Sequence, residues 1–231
     1  MFKEFGEKLY NTFVVDNRWQ YLTNGLKHTF VITVCAMLIG LVIGFLAAII
    51  RVTHDKTGRL KIADIIAKLY LTVIRGTPVV VQLLIIYFVV FASVNVSKIL
   101  VAVLAFGINS GAYVAEIVRS GIMSVDNGQF EAGESLGFSY SQTMAYIILP
   151  QALKNILPAL ANEAIALLKE TSVSGYIAID DLTNGGNLIR AATYEAFLPL
   201  IAVALIYLVL VLILTGLVSR LERRLAQNDK R

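Results

Sequence analysis

The chain has 231 residues, of which 57% are hydrophobic and 16% charged, and a net charge of +4. Soluble domains run about 45–50% apolar and about 25% charged, so one water-solvated core of this length cannot hide the excess. A basic balance can signal nucleic acid, but here the Lys and Arg residues flank apolar runs, and they read as membrane-topology signals instead.

Taken in chain order, residues 1–20 come first. Phe2, Phe5, Leu9, Tyr10 and Phe13 recur at helical spacing, with Lys3, Glu4, Glu7 and Lys8 between them. That mixture lacks the unbroken apolar core of a cleavable leader. It predicts a helix lying in the membrane interface, with Trp19 and Tyr21 in the aromatic belt.

Long apolar runs follow at Phe30–Ile50, Pro78–Ala92, Ile99–Ile108 and Pro199–Val218. A run of about 18 or more apolar residues can cross the hydrocarbon layer as a helix. Five spans are read, over residues 26–50, 76–93, 99–121, 152–170 and 197–218. Residues 60–75 form either the entry to span two or a separate interfacial segment, because Lys61, Asp64, Lys68 and Arg75 interrupt them and Pro78 limits continuous helix. The expected fold is an all-α integral membrane protein, a single transmembrane domain over residues 1–231.

Orientation follows from the basic residues. Arg51, Lys56, Arg59, Lys61, Arg119, Lys154, Arg220, Arg223, Arg224, Lys230 and Arg231 share one side of a five-span chain. Lys3, Lys8, Arg18, Lys27, Lys98 and Arg190 share the other. The richer side is cytoplasmic by the positive-inside rule, so the N-terminus is expected outside and the tail inside.

Between spans three and four, residues 124–150 form a polar loop. Asp126 and Gln129 have capping-box spacing and Gly137 suits a left-handed terminator, which predicts a helix of about ten residues bearing Phe130, Glu131, Glu134 and Leu136. It is too short and polar to cross a membrane. A short helix held between two spans is a handle for a partner.

The residues of this loop carry a resemblance. Glu131-Ala132-Gly133, then Gly137, then Ile147-Ile148-Leu149-Pro150 resembles the signature loop of the permease subunits of ATP-binding-cassette importers, with Gly133 in place of the second alanine. Arg75-Gly76-Thr77-Pro78 with Gln82-Leu83, the stretch Gly111–Arg119, and Lys169-Glu170-Thr171-Ser172 resemble further motifs of the polar-amino-acid branch. Together they cover residues 20–220. The resemblance implies two permeases around one pathway, this chain with a second copy or a paralogue. It also implies ATPase subunits docked on Phe130, Glu131, Ala132, Gly133, Glu134 and Gly137, and an extracytoplasmic amino-acid-binding protein that delivers the substrate. It implies the cytoplasmic membrane of a prokaryote as the location. The chain carries no G-x-x-x-x-G-K-[ST] phosphate loop, so no cofactor is expected in it, and ATP with Mg belongs to the partner ATPase.

Polar residues inside the spans are candidates for the pathway, since a mid-membrane charge costs about 2.5–3.5 kcal/mol on insertion scales and faces a cavity or a partner. Asn109, Tyr113, Glu116 and Ser120 share a face of span three; Asn155, Asn162 and Lys169 share one of span four, with Glu163 beside it. Depth selects Asn109, Asn162 and Glu163 as substrate-binding residues, with Met37 and Tyr207 at similar depth. Bonding to neighbouring helices is the other use of both asparagines. An acidic pocket prefers a cation, hence arginine, lysine or histidine, with glutamine or glutamate as the alternative.

Glu116 and Arg119 are read as an ion pair on one helix, Lys169 as either attracting a carboxylate or reaching the interface, and Arg75 as structural. Gly40 and Gly44 permit close helix approach. Asp180, Asp181 and the turn Asn184-Gly185-Gly186-Asn187 are expected in a solvated outer loop, placed to contact the delivery protein. His28, His54 and Cys35 lack ligand spacing, so no metal and no catalytic residue is assigned. An ion-coupled secondary transporter is the competing class, and five spans do not divide into the inverted halves it calls for.

Overall fold

The computed structural model describes residues 2–228. Met1 of the N-terminal segment and Lys230 and Arg231 of the basic tail lie outside the described residues. Helices make up the regular structure: α1 (Phe2–Leu9), α2 (Trp19–Thr57), α3 (Lys61–Arg75), α4 (Val79–Ile85), α5 (Lys98–Met123), α6 (Asn127–Ser135), α7 (Tyr140–Thr143), α8 (Leu149–Glu170), α9 (Leu182–Thr193) and α10 (Phe197–Asn228). Four helical stretches are long and apolar enough to cross a membrane: α2, α5, α10 and the run Tyr140–Ile177 that contains α7 and α8. α3 meets the helix Val79–Val90 at 106°, and the pair makes a fifth span if the two bent helices are counted as one.

The break has a local cause. Pro78 has no N–H to donate and disfavours helical geometry at Thr77, so α3 ends with exposed carbonyls. Gln82 repairs them: its Nε2 reaches the Ile74 carbonyl at 2.7 Å, the Thr77 carbonyl at 3.1 Å and the Thr77 hydroxyl at 2.7 Å. Thr77 in turn donates to the Val73 carbonyl at 2.8 Å. The Arg75–Gln82 motif is thus a capped corner that sets the direction of two helices. Residues 60–75, ambiguous in the sequence, are a helix of their own.

The centre of the fold is the crossing of α2 and α5. Gly40 and Gly44 on α2 face Gly111, Ser110 and Val114 on α5, and a Cβ at Gly40 would stand 3.2 Å from the Gly111 nitrogen. Gly107 abuts Ile39 and Gly111 abuts Ile43. Small residues on both helices let the backbones approach, which is how membrane helices gain dispersion contacts when lipid offers no hydrophobic drive. The Gly40–Gly44 spacing therefore serves a contact inside the chain. Phe106, Ile32 and Leu83 fill one core cluster without exposed surface, and Val52, Val118, Ile148 and Ile156 fill a second one nearer the polar loop.

The stretch expected to form a solvated outer loop departs from that expectation. The stretch read as a solvated turn is the helix α9, and Asp181 is fully buried as its N-cap. Asp181 Oδ1 accepts the Asn184 N–H at 2.7 Å and Oδ2 accepts the Gly175 N–H at 3.1 Å. Burial pushes this carboxyl above its ordinary range, and the hydrogen bonds from Asn184, Ser174 and Gly175 oppose that shift. Gly185 and Gly186 are helix-contact residues: Gly185 lies against the Tyr21 carbonyl and Gly186 against Val203. Asp180 alone of the pair stays exposed.

Candidate substrate cleft and cytoplasmic loop

A cleft of about 430 Å³ opens between α5 and α8. Tyr113, Glu116 and Ser120 line it from α5, Asn155 and Glu163 from α8, and Arg75 from the end of α3. The spacing explains the assembly, since residues three or four apart share a helix face. At the end near the polar loop, Asn155 donates to the Ser124 hydroxyl at 2.9 Å. At the other end, Ser110 donates to Glu163 Oε1 at 2.8 Å and lies 3.9 Å from Met37 Sδ. Ser110 is the one hydrogen-bond donor reaching Glu163 among the described residues.

The five predicted pocket residues divide. Met37 and Glu163 meet through Ser110. Asn109 is 2% exposed and donates to Gln82 Oε1 at 2.9 Å, tying α5 to the capped corner. Asn162 lies on the exposed face of α8, and Tyr207 packs with Leu22, Leu182, Ile189 and Val203 beside α9. Sequence spacing alone missed Ser110, a small residue in an apolar run with no neighbour in sequence to mark it.

Below Glu163 the cleft wall is charged. Glu116 pairs with Arg119 at 3.6 Å as its spacing suggests, and also with Arg51 and Arg75, each at 3.6 Å. Asp64, 1% exposed, meets Lys68 at 2.7 Å, His54 at 3.3 Å and Arg51 at 3.8 Å. Asp55 meets Arg119 at 3.4 Å. His54, Asp55 and Asp64 bring ligand atoms within 4.8 Å of one another, a grouping the sequence spacing did not reveal. Lys68, Arg51 and Arg119 already supply the positive charge that a metal ion would bring, so the cluster functions as an ion-pair network joining α2, α3 and α5.

The polar loop is organised around α6. Asp126 caps it by accepting the Gly128 N–H at 2.7 Å, and Gly137 ends the loop helix region at φ +79°. The expected box with Gln129 does not form, because Gln129 accepts from Gln151 at 3.2 Å; a box forms at Ser139 and Gln142 instead. Gly133 is buried against Thr143, where a Cβ would stand 2.6 Å from the Thr143 Cγ2 and Oγ1 atoms. This contact accounts for glycine where the importer motif has alanine. Phe130 packs inward on the core cluster of Val52, Val118, Ile148 and Ile156 under Lys56, whose Nζ is 4.5 Å from the ring and 2.7 Å from Asn127 Oδ1. Glu131, Ala132, Glu134 and Leu136 face outward, Leu136 with 72% of its surface exposed.

Comparison with known proteins identifies the fold. Residues 40–227 match the family model of the binding-protein-dependent transport system inner membrane component. The chain belongs to this family. It is a multi-pass permease subunit of an ATP-binding-cassette importer, a transport component and not an enzyme, and membership implies ATPase and binding-protein partners. The permease is 41% identical over 211 residues to the arginine transport system permease protein ArtQ of Bacillus subtilis, covering 90% of this chain and 94% of that one. It is 41% identical over 207 residues to the glutamine transport system permease protein GlnP of Escherichia coli, covering 88% and 92%. The crystal structure of an amino acid ABC transporter with histidines matches it with a TM-score of 0.83 at 41% identity, over 92% of this chain and 98% of that one.

Proposed function

We propose that this permease carries a basic amino acid, arginine, lysine or histidine, inward across the cytoplasmic membrane of a prokaryote. The observation that carries the reading is Glu163, a carboxylate inside a membrane helix that lines the cleft with one hydroxyl as partner. A cationic substrate supplies the counter-charge that this group lacks. The similarity to an arginine permease and to a transporter containing histidines supports it. Met37, in contact with Ser110, forms the apolar wall. Asn109 fixes the corner behind the pocket, while Asn162 and Tyr207 face the pathway in another state of the cycle or from the second permease.

The partner ATPase, holding ATP and Mg, docks on the outward side chains of α6, with Phe130 and Gly133 seating that helix. The second permease is another copy or a paralogue, and an extracytoplasmic binding protein delivers the amino acid near α9. The N-terminus lies outside and the basic tail in the cytoplasm. Helix α1, with Phe5 and Leu9 exposed beside Lys3 and Lys8 and Tyr10 exposed just after it, rests among lipid headgroups.

A second reading, glutamine or glutamate transport, is favoured by the 41% identity to a glutamine permease. Replacement of Glu163 separates the two. A charge-assisted hydrogen bond contributes about 1.5–3 kcal/mol, so Glu163→Gln should weaken arginine binding by roughly 10- to 150-fold and spare glutamine. Equal losses for both amino acids, or none, reject the acidic pocket as selector.

A further inference from the structure

The cleft raises a question that Glu163 does not answer: every amino acid, whatever its side chain, also carries a carboxylate. An unpaired carboxylate in a membrane cavity is as costly as an unpaired cation. Arg75 is the one cation among the cleft-lining residues, against two carboxylates, Glu116 and Glu163.

Arg75 is also the least committed arginine of its network. Glu116 is shared by three arginines, each at 3.6 Å. Arg51 has a second carboxylate in Asp64 at 3.8 Å, and Arg119 has one in Asp55 at 3.4 Å. Arg75 has Glu116 alone among the described residues, plus the Tyr113 ring at 5.7 Å. A separation of 3.6 Å exceeds the 2.7–2.9 Å of a charge-assisted hydrogen bond, so the guanidinium fork keeps donors free for a ligand. Its side chain is 44% exposed, and it borders the cleft. The corner built by Pro78 and Gln82 holds α3 so that its last residue points there.

Position completes the case. Glu163 is bonded to Ser110 and Arg75 lies beside Glu116, six residues further along α5. At 1.5 Å per residue the two partner positions are about 9 Å apart along α5, near the length of one amino acid with a contact at each end, and no ion pair joins Arg75 to Glu163 among the described residues. We propose that Arg75 is the receptor for the substrate α-carboxylate, with Glu163 at the cationic end. The planar fork matches a carboxylate with two parallel hydrogen bonds. The substrate then lies along the cleft with its carboxylate toward the polar-loop end. The assignment rests on the cleft being the substrate path.

Binding of L-arginine and of agmatine, which is arginine without its carboxylate, tests this in the detergent-purified permease–ATPase complex. Arg75→Gln should lower arginine affinity at least about tenfold and leave agmatine affinity unchanged, since one charged hydrogen-bonding partner is removed. Arg75→Lys, which retains the charge and loses the fork, should restore part of the arginine affinity. Glu163→Gln should weaken both ligands. Equal weakening of arginine and agmatine by Arg75→Gln, or no weakening of either, overturns the assignment. Failure of Glu163→Gln to alter either ligand overturns the cleft itself as the substrate path. If the substrate is glutamine, the same comparison is made with glutamine and its decarboxylated amine, and the same selective loss is expected from Arg75→Gln.

Discussion

Replacing Gly133 by alanine would restore the sequence typical of importer loops, yet here it should loosen the loop. The added Cβ would stand 2.6 Å from both Thr143 Cγ2 and Oγ1 and 3.1 Å from Thr143 Cβ, against an optimum of about 3.5–4.0 Å between carbon atoms. Thr143 cannot easily turn away: it is 1% exposed, and a β-branched side chain has few rotamers in a helix. Overpacking of this kind costs about 1–3 kcal/mol, partly offset by the roughly 1 kcal/mol by which alanine favours a helix over glycine. A double-mutant cycle removes that offset, because the helix-propensity gain is the same in both Thr143 backgrounds. Gly133→Ala, Thr143→Ala and their combination would be compared for thermal unfolding of the purified complex and for substrate-stimulated ATP hydrolysis. The combination should be more stable than the sum of the singles by about 1–3 kcal/mol and should recover ATPase stimulation. Additive effects within about 0.5 kcal/mol would refute the steric pairing of these residues.

Two further outcomes follow from the buried polar groups. Gln82→Leu keeps the bulk but leaves the Ile74 and Thr77 carbonyls and the Asn109 amide without partners; at about 1–3 kcal/mol for a stranded buried group, the thermal midpoint should fall measurably, whereas an unchanged midpoint would show that the corner needs no cap. Asp181→Ala should cost about 0.5–2 kcal/mol as a lost N-cap, while Asp181→Asn, which retains one side-chain oxygen acceptor, should cost less. Hydrogen exchange along α9 reads the difference, and equal protection in both variants would contradict the capping role.

Much of the fold is legible in the sequence because lipid imposes a simple rule: long apolar runs become helices with their backbone bonds satisfied internally. The break at Pro78, the terminator at Gly137 and the separation of Glu131 from Ile148 are local, so they could be read directly. Helix α9 was hidden because Gly185 and Gly186 have the composition of a turn; their role as contact points depends on Tyr21 and Val203, which are remote in sequence. The cap at Asp126 was legible, but Gln129 was diverted to Gln151, a partner that no spacing rule supplies.

The site was half legible for the same reason. Periodicity put Tyr113, Glu116 and Ser120 on one face, and the spacing of Glu116 and Arg119 marked an ion pair. The approach of Arg51 and Arg75 to Glu116 arises from the crossing of α2, α3 and α5. Depth alone could not say which way Asn109 or Tyr207 turns: Asn109 bonds Gln82, and Tyr207 packs among apolar side chains beside α9.

Uptake of labelled arginine into proteoliposomes holding this permease with its co-purifying ATPase and binding protein, with and without internal ATP, tests the central claim most directly. Uptake that requires ATP and is carried by arginine in preference to glutamine is the predicted result. Uptake without ATP, driven by an ion gradient, would contradict the account.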